Sequence, residues 1–138
     1  MAKLHLEVIT PERIVLAADV DAVVVPAVEG EITVLPQHIP LFTRITPGEI
    51  KYIDGRSEHF MAVQEGFLEV LGEGVKILTN FAVRSEEVEV AKAEVAKKRA
   101  EEMLKEKKGQ ADMAIAEGEL RKAILQLKVA RRRPGRPS

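Results

Sequence analysis

The sequence predicts an α+β chain, mainly β: a sandwich or flattened barrel of short strands over residues 1–84, then an antiparallel two-helix hairpin over 85–133 and a tail over 134–138. Three observations carry this. Short β-branched runs are punctuated by Gly and Pro up to about residue 80. Gly and Pro then vanish from Arg84 to Gly109. Charge divides at the same place: residues 1–83 carry 6 Lys+Arg and 12 Asp+Glu, a net of −6, while residues 84–138 carry 15 and 10, a net of +5.

The strand-like runs follow in order. Leu4, Leu6 and Val8 alternate with His5 and Glu7, the period-2 mark of a half-buried strand. Thr10-Pro11-Glu12 turns the chain into Arg13 to Leu16, and Ala22 to Val25 comes next. Gly30 precedes Ile32 to Leu35, and Pro36 and Pro40 bracket a break. After Pro47-Gly48 come Glu49 to Ile53, then Asp54-Gly55 as a hairpin turn with φ > 0 at both positions. Phe60 to Val63, Phe67 to Leu71 and Val75 to Leu78 complete the set, parted by Gly66, Gly72 and Gly74.

The first helix is expected to start at an N-cap on Ser85, with Glu86 and Glu87 in its first turn, and to run to about Lys108. Its apolar face is read as Val88, Ala91, Val95, Ala96, Ala100 and Met103. The second helix is expected from about Asp112, with Met113, Ala116, Leu120, Ala123, Leu127 and Ala130 stepping by three and four. Alanine buries little apolar area, and Gly118 inside the second helix costs about 1 kcal/mol relative to Ala. Two readings fit: a hairpin able to leave its docking surface, or a modestly stable surface hairpin.

The 138 residues are 46% hydrophobic and 4% aromatic, so the core must be mostly aliphatic. Without Cys there is no disulfide and no thiolate, which fits a reducing cytoplasm. No run approaches the roughly 20 apolar residues of a membrane span, and the N-terminus has no signal-peptide pattern; membrane association is expected only through a partner. His5, His38 and His59 lack metal-ligand spacing. There is no phosphate-cradling Gly-rich loop and no Gly-x-Ser-x-Gly elbow, so no catalytic residue and no metal site is expected. The tail from Arg131 to Pro137 resembles an AT-hook, but nothing else looks like a nucleic-acid surface, and it is read as solvated.

Several segments are more specific. Val8-Ile9-Thr10-Pro11-Glu12-Arg13, the run Val23-Val24-Val25-Pro26-Ala27-Val28-Glu29-Gly30-Glu31, and Val34-Leu35-Pro36-Gln37-His38-Ile39-Pro40-Leu41 with Thr46-Pro47-Gly48 resemble the epsilon subunit family of bacterial F-type ATP synthases. Gly66 to Val70 and Val75 to Leu78 continue the likeness, which covers about residues 3–131.

The resemblance implies a ten-stranded β-sandwich and two helices, in a non-catalytic rotor subunit of a proton-translocating enzyme. It implies a peripheral place on the cytoplasmic face of the bacterial inner membrane. The sandwich would bind the gamma subunit and the c-ring, with Glu29, Gly30, Glu31 and His38 on that side. The hairpin would reach the catalytic beta and alpha subunits and restrain ATP hydrolysis, with Arg121, Lys122 and Lys128 as a basic face. Some relatives bind ATP through Ile/Leu-Asp-x-x-Arg-Ala. Here the segment runs from Val88 through Glu89 and Lys92 to Ala93, with Arg99 as a further basic residue. Lys lacks the planar fork of Arg, so this reads as a degraded site for weak regulatory ATP, and no other cofactor is expected.

Overall fold

The computed structural model describes residues 2–106 and 109–132. It divides into two compact units, Met1–Arg84 and Ser85–Ser138. The first is all β: β1 (Leu4–Ile9), β2 (Ile14–Val20), β3 (Ala22–Ala27), β4 (Gly30–Val34), β5 (Leu41–Ile45), β6 (Gly48–Asp54), β7 (Ser57–Val63), β8 (Gly66–Leu71), β9 (Gly74–Thr79) and β10 (Ala82–Arg84).

They form one continuous sheet in the order β10-β7-β6-β3-β5-β8-β9-β1-β2, with β4 paired to β3. All neighbours are antiparallel except β1 and β9, which run parallel with His5 opposite Gly74 and Ile9 opposite Leu78. β2, at one end of this path, touches β10 and β6 from the other, so the sheet folds over into a closed sandwich. Strand alternation puts Leu4, Leu6, Val8, Val23, Val25, Ile50, Met61, Leu68 and Ile77 inside. Each such side chain contributes about 1.5–3 kcal/mol when fully buried. Tyr52 is the one aromatic residue among them.

Two strands have no counterpart in the sequence reading. β5 follows directly on Pro40 and its neighbours, where proline density reads as a break, yet no β5 residue is a proline and its ladder to β8 is unbroken from Leu41 to Ile45. β10 is only three residues long, too short for any periodicity to show.

The hairpin turn is displaced by one residue. Asp54 pairs with Ser57, so Gly55 and Arg56 form the loop; Gly55 has φ 64, and Asp54 is not among the positive-φ residues. One positive φ, at the first loop position, is the II′ pattern rather than the I′ pattern. Lys3 Nζ lies 3.0 Å from Asp21 Oδ1 and donates to Asp54 Oδ1 at 3.1 Å, and the Gly55 N–H donates to Asp21 Oδ2 at 2.7 Å. Asp21 is held below the usual carboxylate range, first by the Gly55 N–H and then by Lys3. Lys3 is held above its ordinary value by Asp21 and then Asp54. This cluster clips the start of β1 to the β2–β3 corner and to the β6–β7 turn.

The second unit holds a 3₁₀ turn (Ser85–Glu87), α1 (Val90–Glu106) and α2 (Gln110–Ala130). Ser85 therefore does not cap α1. It is buried in the 3₁₀ turn with its hydroxyl donating to Glu86 Oε1 at 3.1 Å, and the ladder of α1 opens at Glu89, whose carbonyl accepts the Ala93 N–H at 3.0 Å. No acidic residue lies in the first turn of α1. Its expected end at Lys108 lies outside the described residues, as does the tail beyond Arg132. α2 starts two residues before Asp112, at Gln110.

The stripe expected on α2 is right: Ala116, Ala123 and Ala130 are buried, and Met113, Leu120 and Leu127 half-buried. The face expected on α1 is half right: Ala100 is buried and Ala96 half-buried as expected, and Val88 is buried just ahead of the helix. Ala93 and Ala100 are its buried residues, Ala96 and Leu104 are half-buried, and Ala91, Val95 and Met103 are exposed. α1 and α2 pack on each other, and alanines a heptad apart on both helices suit close approach better than valine or methionine would. Among the described residues no helix is long and apolar enough to cross a membrane.

Candidate functional site

The β3–β4 hairpin places the first group of expected contact residues. Ala27 pairs with Gly30, so Val28 and Glu29 form a two-residue loop. Gly30 holds φ 125, which a side chain would strain, and Glu29, Gly30 and Glu31 are all exposed. The Val28 N–H donates to the Arg44 carbonyl at 3.2 Å, and the Thr46 N–H to the Pro26 carbonyl at 2.9 Å. The acidic loop is thus fixed to the end of β5.

His38 stands apart from it. It lies beyond the other end of β4, a strand whose five residues span about 13 Å. Its backbone N–H donates to the Leu35 carbonyl at 3.1 Å and its Nδ1–H to the Ile39 carbonyl at 2.7 Å, beside Gln37 at φ 70. The second bond keeps a proton on Nδ1. The structure therefore places the two groups of expected contact residues at opposite ends of one strand.

The segment compared with an ATP motif does not converge as a set. Val88 and Ala93 are buried. Glu89 Oε2 and Lys92 Nζ pair with each other at 3.1 Å on the exposed side. Arg99 lines an open apolar groove with Ala91, Lys92, Val95 and Ala96. Lys92 also meets Lys122, Glu119 and Gln126 of α2 around a cavity of about 180 Å³.

The three basic residues of α2 likewise split. Arg121 and Lys128 are exposed and seven residues apart, which brings them within about 20° of one another around the axis. Lys122 is half-buried at the cavity shared with α1.

One surface feature was not read from the sequence. Outward-facing residues of β5, β8, β9 and β1 form a cross-strand row, Arg44–Phe67–Leu78–Ile9. Phe42 stacks on Phe67 with ring centroids 5.5 Å apart. The signal was available as Phe67 and Leu78 at alternate positions to the core residues Leu68 and Ile77, but strand periodicity does not say which apolar face meets water.

Comparison with known proteins follows these two units. The pattern described as "ATP synthase, Delta/Epsilon chain, beta-sandwich domain" matches residues 3–85, and "ATP synthase, Delta/Epsilon chain, long alpha-helix domain" matches residues 86–131. The chain belongs to the ATP synthase delta/epsilon family.

Members of that family called ATP synthase epsilon chain are close in sequence and length. The one from Dehalococcoides mccartyi is 44% identical over 138 residues, covering 99% of both chains. That of Herpetosiphon aurantiacus is 40% identical over 133 residues, covering 96% of this chain and 98% of its own. That of Moorella thermoacetica is 44% identical over 131 residues, covering 94% and 98%. In structure, the delta/epsilon fold recurs in a chain of the Euglena gracilis mitochondrial ATP synthase (OSCP/F1/c-ring), with a TM-score of 0.76, 24% identity and coverage of 94% of this chain and 82% of that one. A chain from the Tetrahymena thermophila mitochondrial ATP synthase central stalk and c-ring gives a TM-score of 0.58 at 15% identity, covering 91% and 95%.

Proposed function

We propose that this chain is the epsilon subunit of a proton-translocating F-type ATP synthase, a non-catalytic part of the rotor. In this reading the sandwich, residues 1–84, joins the gamma subunit and the c-ring. The hairpin from residue 85 restrains ATP hydrolysis at the catalytic subunits. The complex would hold the chain peripherally at the cytoplasmic face of a bacterial inner membrane. The observation that carries the reading is the full-length match: two consecutive family patterns span residues 3–131, and relatives of the same length share up to 44% of the residues. The test is affinity capture of the tagged chain from membranes. Gamma, c and the catalytic subunits should come with it; capture of none of them would overturn the assignment.

A second reading, weak regulatory ATP binding at the hairpin, is favoured by one observation: Lys92 and Lys122 line one cavity between the helices, beside Glu119. The cavity of about 180 Å³ lies below the usual range of roughly 300–1,000 Å³ for small-molecule sites. Affinity should therefore be millimolar, about 4 kcal/mol. The double variant Glu89→Asp, Lys92→Arg should bind more tightly in calorimetry, and micromolar binding by the unaltered chain would refute the degraded-site reading.

A further inference from the structure

Asp54 is the one aspartate or asparagine of this chain that precedes a glycine; Asp19, Asp21, Asn80 and Asp112 do not. That neighbour opens a chemistry of its own. The Gly55 nitrogen can attack Asp54 Cγ. A C–N bond forms, and one carboxyl oxygen leaves as water, with the amide hydrogen and the proton of the neutral carboxyl. Water then opens the succinimide ring at either carbonyl. One opening restores aspartate; the other gives isoaspartate, in which the main chain runs through the former side-chain carboxyl. Glycine favours this reaction, because no side chain hinders its nitrogen and its backbone turns freely. The site is also open to water. The Asp54 side chain is 56% exposed, and nothing lies within 4 Å of a would-be Cβ on Gly55.

Three features oppose the reaction. The Gly55 N–H, whose hydrogen must leave, is donated to Asp21 Oδ2 at 2.7 Å. A bond to a carboxylate is of the stronger kind, and Asp21 is held below the usual carboxylate range first by this same N–H. Lys3 Nζ donates to Asp54 Oδ1 at 3.1 Å, which ties the attacked carboxyl to the chain just ahead of β1. Asp54 is also the last residue of β6, paired with Ser57. A five-membered ring needs Cβ and the next nitrogen nearly eclipsed, and extended backbone holds them well apart. Asp21 and Gly55 are 34 residues apart, so their bond exists only once the strands have assembled.

We propose that Asp54–Gly55 is a latent self-modification site, guarded in the folded chain by the Asp21 carboxylate, which occupies the attacking N–H. Isoaspartate there would add a methylene to the main chain at the β6–β7 turn and break the Asp54–Ser57 pair. Water is the sole co-reactant, and no step depends on the rotor reading.

The experiment ages the full-length chain in warm neutral buffer and follows isoaspartate at position 54 by peptide mapping. The folded chain should form it far more slowly than the same chain held unfolded in urea. Asp21→Ala removes the acceptor of the Gly55 N–H and should speed formation in the folded chain by about tenfold or more, the scale of one hydrogen bond to a charged group. Gly66→Ala crowds the Leu78 carbonyl instead and loosens the chain between β8 and β9. It should leave the rate at the parental value, which separates loss of the guard from general loosening. Equal rates in the folded parent and the urea-held chain overturn the proposal. So does a parental rate in folded Asp21→Ala, or a Gly66→Ala variant as fast as Asp21→Ala. Should Asp21→Ala misfold, amide hydrogen exchange in the unaltered chain decides. A protected Gly55 N–H supports the guard, and one that exchanges at the rate of an unstructured chain rejects it.

Discussion

Gly66 runs so close to the Leu78 carbonyl that a Cβ on it would overlap that oxygen. The obstacle is backbone of the neighbouring strand, not the yielding end of a side chain. Gly66→Ala must therefore push β8 and β9 apart where Gly66 pairs with Thr79. The expected cost is about 1–3 kcal/mol, the usual range for forced overpacking. A lowered denaturation midpoint would show it, and an unchanged midpoint would mean the two strands are not this close.

Gly118 is the opposite case. It sits inside α2 with nothing within 4 Å of a would-be Cβ. Gly118→Ala should stabilise the helix by up to about 1 kcal/mol. Circular dichroism melting of the full chain would register this as a later loss of helical signal. A lower melting temperature would reveal a neighbour that the structure does not place there.

The Lys3–Asp21–Asp54 cluster makes a pH-dependent contribution. Asp21 has a depressed pKa, so its contribution is fully present above its ordinary value of 3.8 and is lost as pH falls through the lower folded value. Lys3 has a raised pKa, so its share is fully present below 10.5 and is lost as pH rises through the higher folded value. Asp21→Asn should therefore melt earlier than the parent at neutral pH, and the gap should close in acid. All three groups are solvent-facing, and a gap that widens in acid would contradict the assignment.

Arg121 and Lys128 share one face of α2, whereas Lys122 is turned toward α1. If the hairpin restrains hydrolysis through surface charge, Arg121→Ala with Lys128→Ala should relieve inhibition, and Lys122→Ala alone should do so less. Rising salt should act in the same direction, because screening beyond about 8 Å removes long-range attraction at physiological ionic strength. ATP hydrolysis by the reconstituted head across a salt series is the measurement. A double variant that inhibits like the parent at every salt would reduce this face to a solubilising surface.

Much of the fold was legible because its signals are local. The alternation of Leu4, Leu6 and Val8 and the heptad-like steps from Met113 to Ala130 each need only one element to be read. What was missed depends on neighbours. β5 exists because β8 offers a ladder, despite the prolines around it. The phase of α1 is set by what Ala93 and Ala100 pack against, and the larger Val95 and Met103 misled the reading outward. For the candidate contacts, sequence likeness supplied Glu29, Gly30, Glu31 and His38, but only the strand geometry shows that β4 separates them. The Phe42–Phe67 stack joins residues 25 positions apart, and one of them lies in an unread strand.

The parallel pairing of β1 with β9 also governs the order of assembly. Most of the sandwich lies between His5 and its partner Gly74, so the first strand made is among the last to find its neighbour. Until Thr79 has been synthesised, β1 and β2 can form only a hairpin whose inner edge is open to any other strand. Long-range closure of this kind is slow compared with forming a local helix pair. The newborn chain is thus most vulnerable to association with its own copies just before the ninth strand arrives, and a product cut short there would keep that vulnerability permanently.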